Sequence, residues 1–322
     1  MKQHNLVDLV KFLLSILVVA IHMGVPILAE LGRIAVPYFF IISGYFFFGK
    51  YNSSPDLKSR QRLFYKYSKR IMQLFSSWLV IYLPLVFLGI YNSKDPLAVS
   101  IFGLVSGRLP NFGQAWYLIA SITGLGTFLI LKHCLPWTIV LSISVITEIF
   151  IILSTSYFGL LHSVGIFIPG SKYVLYLFPR PWIYFTIGYV LSKLRQFNIR
   201  HFWLPLLLLA YAIETVLITT FHFNTGGLMD ENFSLPFVTT ALVLVTLTSP
   251  IKIKFVKRLR ELSTFIFMGH VWLVPFISKM NAHLFGFVNS LTNFVGLIEI
   301  LFILICGYCV LHSRPKLIRI LV

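Results

Sequence analysis

Residues Leu6 to Leu28 read LVDLVKFLLSILVVAIHMGVPIL. The run is long enough to cross hydrocarbon as a helix, which takes about 20 apolar residues at roughly 1.5 Å each. It nevertheless carries Asp8, Lys11 and His22. Lys11 and His22 are eleven residues apart, and at about 100° per residue they return to nearly the same azimuth. Both therefore share one face, with His22 roughly 16 Å further along the axis. A cation and an imidazole inside a membrane span are costly and mark functional positions. One can hold a charged ligand near the surface while the other does chemistry deeper in.

Composition agrees with a membrane solvent. The chain has 322 residues, of which 57% are hydrophobic and 11% charged, with a mean hydropathy of +0.86. No soluble domain with a wet surface has that balance. Apolar runs of helical length fall near 6–28, 34–49, 71–91, 115–131, 137–156, 173–192, 202–222, 234–250, 263–280 and 290–311. Continuous runs such as Ile139–Ile152 lack the strict alternation of a barrel strand. The expected fold is an all-α polytopic bundle of about ten transmembrane helices.

Twenty of the 27 Lys and Arg residues fall at alternate connections, including Lys50–Arg70, Lys193–Arg200, Lys252–Arg260 and Arg314–Arg319. The other faces hold only Arg33, Lys94, Arg108, Lys172, Arg180 and Lys279. The positive-inside rule then puts both termini in the cytoplasm of a multi-pass plasma-membrane protein. It also accounts for the net charge of +17 through topology and anionic lipid contact, without nucleic-acid binding. The first run is too long for a cleavable leader and lacks a small-residue cleavage site. The longest connections, 50–70 and 92–114, are about 20 residues, and no repeat period appears. A single transmembrane domain over 1–322, with no appended soluble domain, is the expectation; homo-oligomerisation is compatible with it. Cys306 and Cys309 sit at i and i+3 in an apolar span and read as core filling, with Cys134 isolated.

The order of motifs is more specific than any one of them. It runs Asp8-Leu9-Val10-Lys11, Ile21-His22, then Val36-Pro37-Tyr38-Phe39-Phe40-Ile41-Ile42-Ser43-Gly44-Tyr45, Trp116-Tyr117-Leu118, Phe178-Pro179-Arg180 with Gly188-Tyr189, and Ser263-Thr264-Phe265-Ile266-Phe267-Met268-Gly269-His270. This order resembles the membrane acyltransferase family 3 along nearly the whole chain. Lys11 stands where many members carry Arg, Lys66-Tyr67-Ser68-Lys69-Arg70 loosely matches an Arg-x-x-Arg, and Gln114-Ala115 precede Trp116 where members often carry His. The resemblance implies an O-acyltransferase. Such an enzyme moves an acyl group, usually acetyl, from cytosolic acyl-CoA to a glycan or lipid-linked saccharide hydroxyl, with acyl-CoA as co-substrate, no bound cofactor and no metal.

The residue chemistry fits that implication. Removing a hydroxyl proton near neutral pH suits an imidazole, and His22 is the candidate base. Asp8 lies three residues before Lys11 and is expected to pair with it; Lys11 would meet a CoA phosphate. Lys69 and Arg70 are the candidate donor-docking cations, and His270, read in the inner half of its span, is either a donor contact or a core polar group. Arg33 and Arg180 each read as carbonyl-polarising, acceptor-holding or interfacial. Glu148, Glu214 and Glu299 are deep and need partners, with Arg33 or Arg180 the candidates. Trp116 reads as belt or sugar platform, and Ser43-Gly44 as a close-packing pair. A transporter or flippase for a glycan or small polar substrate is the rival reading, since buried charges also line substrate paths.

Overall fold

The computed structural model describes residues 5–92, 102–103, 106–168, 180–194, 203–249 and 251–322. In order, the helices are α1 (Asn5–Met23), α2 (Leu28–Gly32), α3 (Ala35–Asn52), α4 (Leu57–Asn92), α5 (Trp116–Cys134), α6 (Trp137–Ser154) and α7 (Phe158–Ser163). They continue with α8 (Trp182–Lys193), α9 (Trp203–Thr220), α10 (Leu235–Thr248), α11 (Val256–Phe285), α12 (Ser290–His312) and α13 (Pro315–Leu321). A 3-10 turn, Gly113–Ala115, leads into α5, and no strand occurs among the described residues. Among the described residues, eight helices are long and apolar enough to cross a membrane. They coincide with eight of the ten expected spans. The run at 234–250 forms the 14-residue α10. Of 173–192, residues 173–179 lie outside the described residues, as do Phe178 and Pro179 of the motif, and the remainder forms the 12-residue α8.

Two boundaries differ from the sequence expectation. The first span stops at Met23, not at residue 28, because Gly24 takes φ +65° and Ile27 φ +65° around Pro26, whose ring cannot donate to a continuing helix. The basic stretch 50–70 is mostly not a loop. Helix α3 continues to Asn52 and α4 begins at Leu57, since Lys, Arg and Gln are good helix formers. Asp56 starts α4 by accepting from the Ser59 N–H at 2.6 Å and from the Ser59 hydroxyl at 3.0 Å. Cys306 and Cys309 also differ: they are unpaired thiols on the exposed face of α12 and do not fill the core.

The chain forms two compact units, one from Met1–Ala35, Lys66–Ile119 and Pro250–Val322, the other from Val36–Tyr65 and Ala120–Ser249. In the first, α1 packs along α11, and both meet α12. In the second, α3 and α8 approach closely where Gly44 faces Gly188, and α8 also meets α6 and α10. Large apolar side chains such as Val80, Phe87, Ile146 and Phe302 stay exposed on the helix exteriors, where lipid supplies the apolar contact.

The Gly188 position tests this packing. A Cβ there would sit 2.7 Å from the Ile41 carbonyl and 3.0 Å from the Tyr45 nitrogen. Both are backbone atoms with no rotamer to give, and overpacking costs about 1–3 kcal/mol, more than the roughly 1 kcal/mol Ala gains over Gly in a helix. Gly188→Ala is expected to lower Tm in thermal unfolding of the detergent-solubilised protein. Gly49→Ala, with nothing within 4 Å of its Cβ direction, is expected to leave it unchanged or raise it.

Candidate active site

Helices α1 and α11 run parallel, in a register that three contacts fix. At one end the Arg260 guanidinium donates through Nε to Asp8 Oδ1 at 3.0 Å and through Nη2 to Oδ2 at 2.6 Å. One turn on, the Ser263 hydroxyl donates to the Lys11 carbonyl at 3.0 Å. At the other end the rings of His22 and His270 lie 4.8 Å apart, tilted by 49°. Asp8 thus does not take Lys11 as its hydrogen-bonded partner. The planar guanidinium fork satisfies both carboxylate oxygens at once, which an ammonium cannot do. Lys11 keeps Asp8, Arg260 and Arg70 as electrostatic neighbours.

This register also moves His270. It lies at the His22 end of α1, about 15 Å beyond Arg260 along α11, not beside the basic residues at the other end. His270 is fully buried, and its Nδ1 lies 3.1 Å from the Ile266 carbonyl. A carbonyl can only accept, so Nδ1 carries the hydrogen and the neutral ring presents its Nε2 lone pair. That Nε2 is buried without a hydrogen-bond partner. His22, by contrast, is exposed.

The wall of α11 beside His270 is opened by two side chains from other elements. The Tyr82 hydroxyl donates to the Met268 carbonyl at 2.7 Å and accepts from the Trp272 N–H at 3.0 Å. Those are the two groups an α-helix pairs directly, so the phenol sits within the helical ladder, and Pro275 follows. Gln114, on the 3-10 turn, donates to the same Met268 carbonyl at 2.9 Å, while its own Oε1 is buried without a partner. Two buried acceptor atoms, His270 Nε2 and Gln114 Oε1, therefore face the absence of a donor, a condition that costs about 1–3 kcal/mol per group. Gln114 entered the sequence reading only as a departure from a motif, and Tyr82 not at all. No spacing connects either to residue 268.

At the Asp8 end, Lys69 and Arg70 of α4 line an open groove of about 740 Å³ together with Thr264 and Arg319. A second groove of about 700 Å³ adjoins it through Arg70, Thr264 and Arg319 and adds Lys257, Arg260 and Lys316. The two expected donor-docking cations are thus brought to the end of α1 that carries Lys11. Trp116 lies under the Arg108 guanidinium, 5.8 Å from its carbon to the ring centroid, and its neighbour Tyr117 meets Phe267 of α11 edge-on at 5.5 Å.

Arg33 pairs with Glu30 at 3.0 Å across the turn after α2. Glu299 accepts from Asn281 at 3.0 Å; an amide of the neighbouring helix, not an arginine, is its partner. Its helix meets α1 where Met23 touches Gly296.

The second unit holds the other deep carboxylates. Arg180 donates through Nε to Glu231 at 2.6 Å and through Nη1 to Asp230 at 3.3 Å. Tyr184 donates to Glu231 at 2.6 Å and contacts Glu148 at 3.3 Å, so Glu148 joins the Arg180 cluster through a phenol and not directly. Glu214 caps α10: it accepts from the Phe233 and Ser234 N–H groups at 2.8 Å each, from the Ser234 hydroxyl, and from Tyr157 at 2.8 Å. A carboxylate at a helix N-terminus meets both orphan donors and the helix dipole. No cluster of His, Cys, Asp and Glu suited to a metal occurs among the described residues.

Glu214→Ala is expected to destabilise the fold by about 2 kcal/mol, the scale of a lost cap, visible as a lower Tm. The Asp8–Arg260 pair, with Asp8 buried and Arg260 half open, is expected to show a coupling of about 1 kcal/mol in a double-mutant cycle of Asp8→Asn and Arg260→Gln.

Comparison with known proteins places this geometry in a family. The acyltransferase domain model of family 3 matches residues 5–313. The chain is 24% identical, over 97% of its length, to an "amino-acid racemase" of Enterococcus faecalis, of which the match covers 47%. It is 29% identical, over 37% of its length, to a "serine/alanine racemase" of Enterococcus gallinarum, of which 18% is covered. The chain spans less than half the length of these curated relatives. No solved structure matches it. The chain belongs to the membrane acyltransferase family 3.

Proposed function

We propose that this member of acyltransferase family 3 transfers an acyl group, acetyl by preference, from cytosolic acyl-CoA to a hydroxyl of a cell-surface or lipid-linked glycan in the plasma membrane. The observation that carries the reading is the His22–His270 pair, an exposed imidazole against a buried one whose Nδ1 is tied to Ile266. It stands toward the far ends of α1 and α11 from a basic surface to which α4, α11 and α13 contribute. His22 acts as the base. It takes the acceptor's hydroxyl proton as that oxygen attacks the thioester carbonyl; the C–O bond forms, the C–S bond breaks, and the proton passes to the departing CoA thiolate. His270 is a positioning residue: its buried ring, 4.8 Å from that of His22, backs the His22 imidazole against α11. Gln114 Oε1, unpartnered on the same wall, accepts a second hydroxyl of a polyhydroxyl substrate. Lys11, Lys69 and Arg70 receive the donor's phosphates. Arg33, with Trp116, lies on the acceptor side of this scheme.

A second reading has one observation behind it, the match of nearly the whole chain to part of a protein named as an amino-acid racemase. On that reading the bundle carries a small polar substrate, an amino acid, and the buried polar groups line its path.

Labelled acetyl-CoA turnover by purified protein in nanodiscs, with a glycan acceptor extract, tests the first reading. His22→Ala is expected to lose about 10²–10⁴-fold in rate, the contribution of a positioned base, with unchanged expression and Tm. Full activity in that variant would remove His22 from the chemistry. Uptake of labelled serine or alanine by proteoliposomes, with no turnover of acetyl-CoA, would favour transport.

A further inference from the structure

The family match ends at residue 313, and the helix that follows it completes the basic groove. Helix α13 lies back against the first unit through Ile318 and Leu321, both buried, and through the Trp78 indole, which donates to the Leu321 carbonyl at 3.0 Å. Its register then presents Lys316 and Arg319, three apart, on the exposed side, where both line the grooves already occupied by Lys69 and Arg70. The neighbouring cations are spoken for: Arg260 by Asp8, and Lys257 by Glu261 at 3.7 Å. Lys69, Arg70, Lys316 and Arg319 have no carboxylate partner among the described residues. Lys69, Arg70 and Arg319 line the first groove, and Arg70, Lys316 and Arg319 the adjoining one beside Glu261; these like charges repel each other, and α13 is anchored so as to keep them there. Such an arrangement is relieved by a multivalent anion. Serine and threonine hydroxyls (Ser76, Ser77, Thr264) stand among them, and a volume near 740 Å³ falls within the range of small-molecule pockets, about 300–1,000 Å³.

We infer that α13 is a donor-binding element: Arg319 and Lys316 close the groove opposite Lys69 and Arg70 and bind the phosphates of the nucleotide half of a CoA-type donor. The inference rests on the acyltransferase reading for the identity of the ligand. The groove adjoins Arg260 and Thr264, next to the contact of Ser263 with Lys11. A donor held there has its flexible arm aligned with the α1–α11 seam that leads to His22. Arginine suits the task because its fork meets two phosphate oxygens.

The probe is adenosine 3′,5′-bisphosphate, titrated calorimetrically into wild type, Arg319→Ala, Arg319→Lys and Lys316→Ala in nanodiscs of neutral lipid. Arg319 and Lys316 are exposed, so the variants are expected to keep the wild-type Tm. Binding to wild type that weakens about tenfold in Arg319→Ala, less in Lys316→Ala, and is partly restored by Arg319→Lys supports the proposal. Equal binding by all four, or no binding by wild type, overturns it. Binding abolished by adding anionic lipid, with Arg319-dependent association with anionic vesicles, also overturns it and assigns the groove to lipid head groups. Acetyl-pantetheine, a donor without the nucleotide, separates the two ideas. Turnover of it by wild type with no bisphosphate binding leaves the acyltransferase reading standing and removes the groove. Arg319-dependent bisphosphate binding with no acyl turnover from any donor does the reverse.

Discussion

The Asp8–Arg260 fork sets the register on which the site depends. A carboxylate inside a membrane helix must find its partner within the protein, and Arg260 meets both oxygens of Asp8 at once. Both helices run the same way, and the offset of 252 residues that pairs Asp8 with Arg260 and Lys11 with Ser263 sets residue 270 about one turn short of residue 22, near enough for the two rings to meet. The ring contact of His22 and His270 at 4.8 Å is the consequence. A shift of one residue along either helix would turn one ring about 100° away from the other.

The same rule of internal satisfaction explains the unusual hydrogen bonding of α11. The Tyr82 hydroxyl and the Gln114 amide both reach the Met268 carbonyl, which ties α4 and the turn before α5 to the helix that carries His270. His270 is held by its own helix through Ile266 and so has its lone pair directed away from that helix. Rigid supports on three elements hold the helix of the buried imidazole, while the His22 ring at the end of α1 is exposed.

Much of this was legible in the sequence, for reasons that can be named. Helical runs of the right length gave eight of the spans, and the apolar run from Leu6 put Lys11 and His22 on one helix, where the structure has them. Local rules failed where partners come from far along the chain. Asp8 pairs over 252 residues with Arg260, not over three with Lys11. Depth in a span marked Glu214 as needing a partner, with Arg33 or Arg180 the candidates, yet it takes the backbone at the start of α10 and Tyr157 instead. Charge in 50–70 suggested a loop, but Lys and Arg propagate a helix well, and Asp56 supplied its start. Tyr82 and Gln114 carried no signal, because a phenol or an amide announces a buried hydrogen bond only once its acceptor is adjacent.

The proposed acyl donor lies along α1, phosphates at the Asp8 end and thioester at the His22 end. The most direct test is an experimental structure in nanodiscs with a non-hydrolysable acyl-CoA analogue. The prediction is density for the nucleotide phosphates among Lys69, Arg70 and Arg319, with the acyl carbonyl within reach of His22 beside His270. An analogue bound elsewhere, or bound with its acyl end away from His22, would contradict the account.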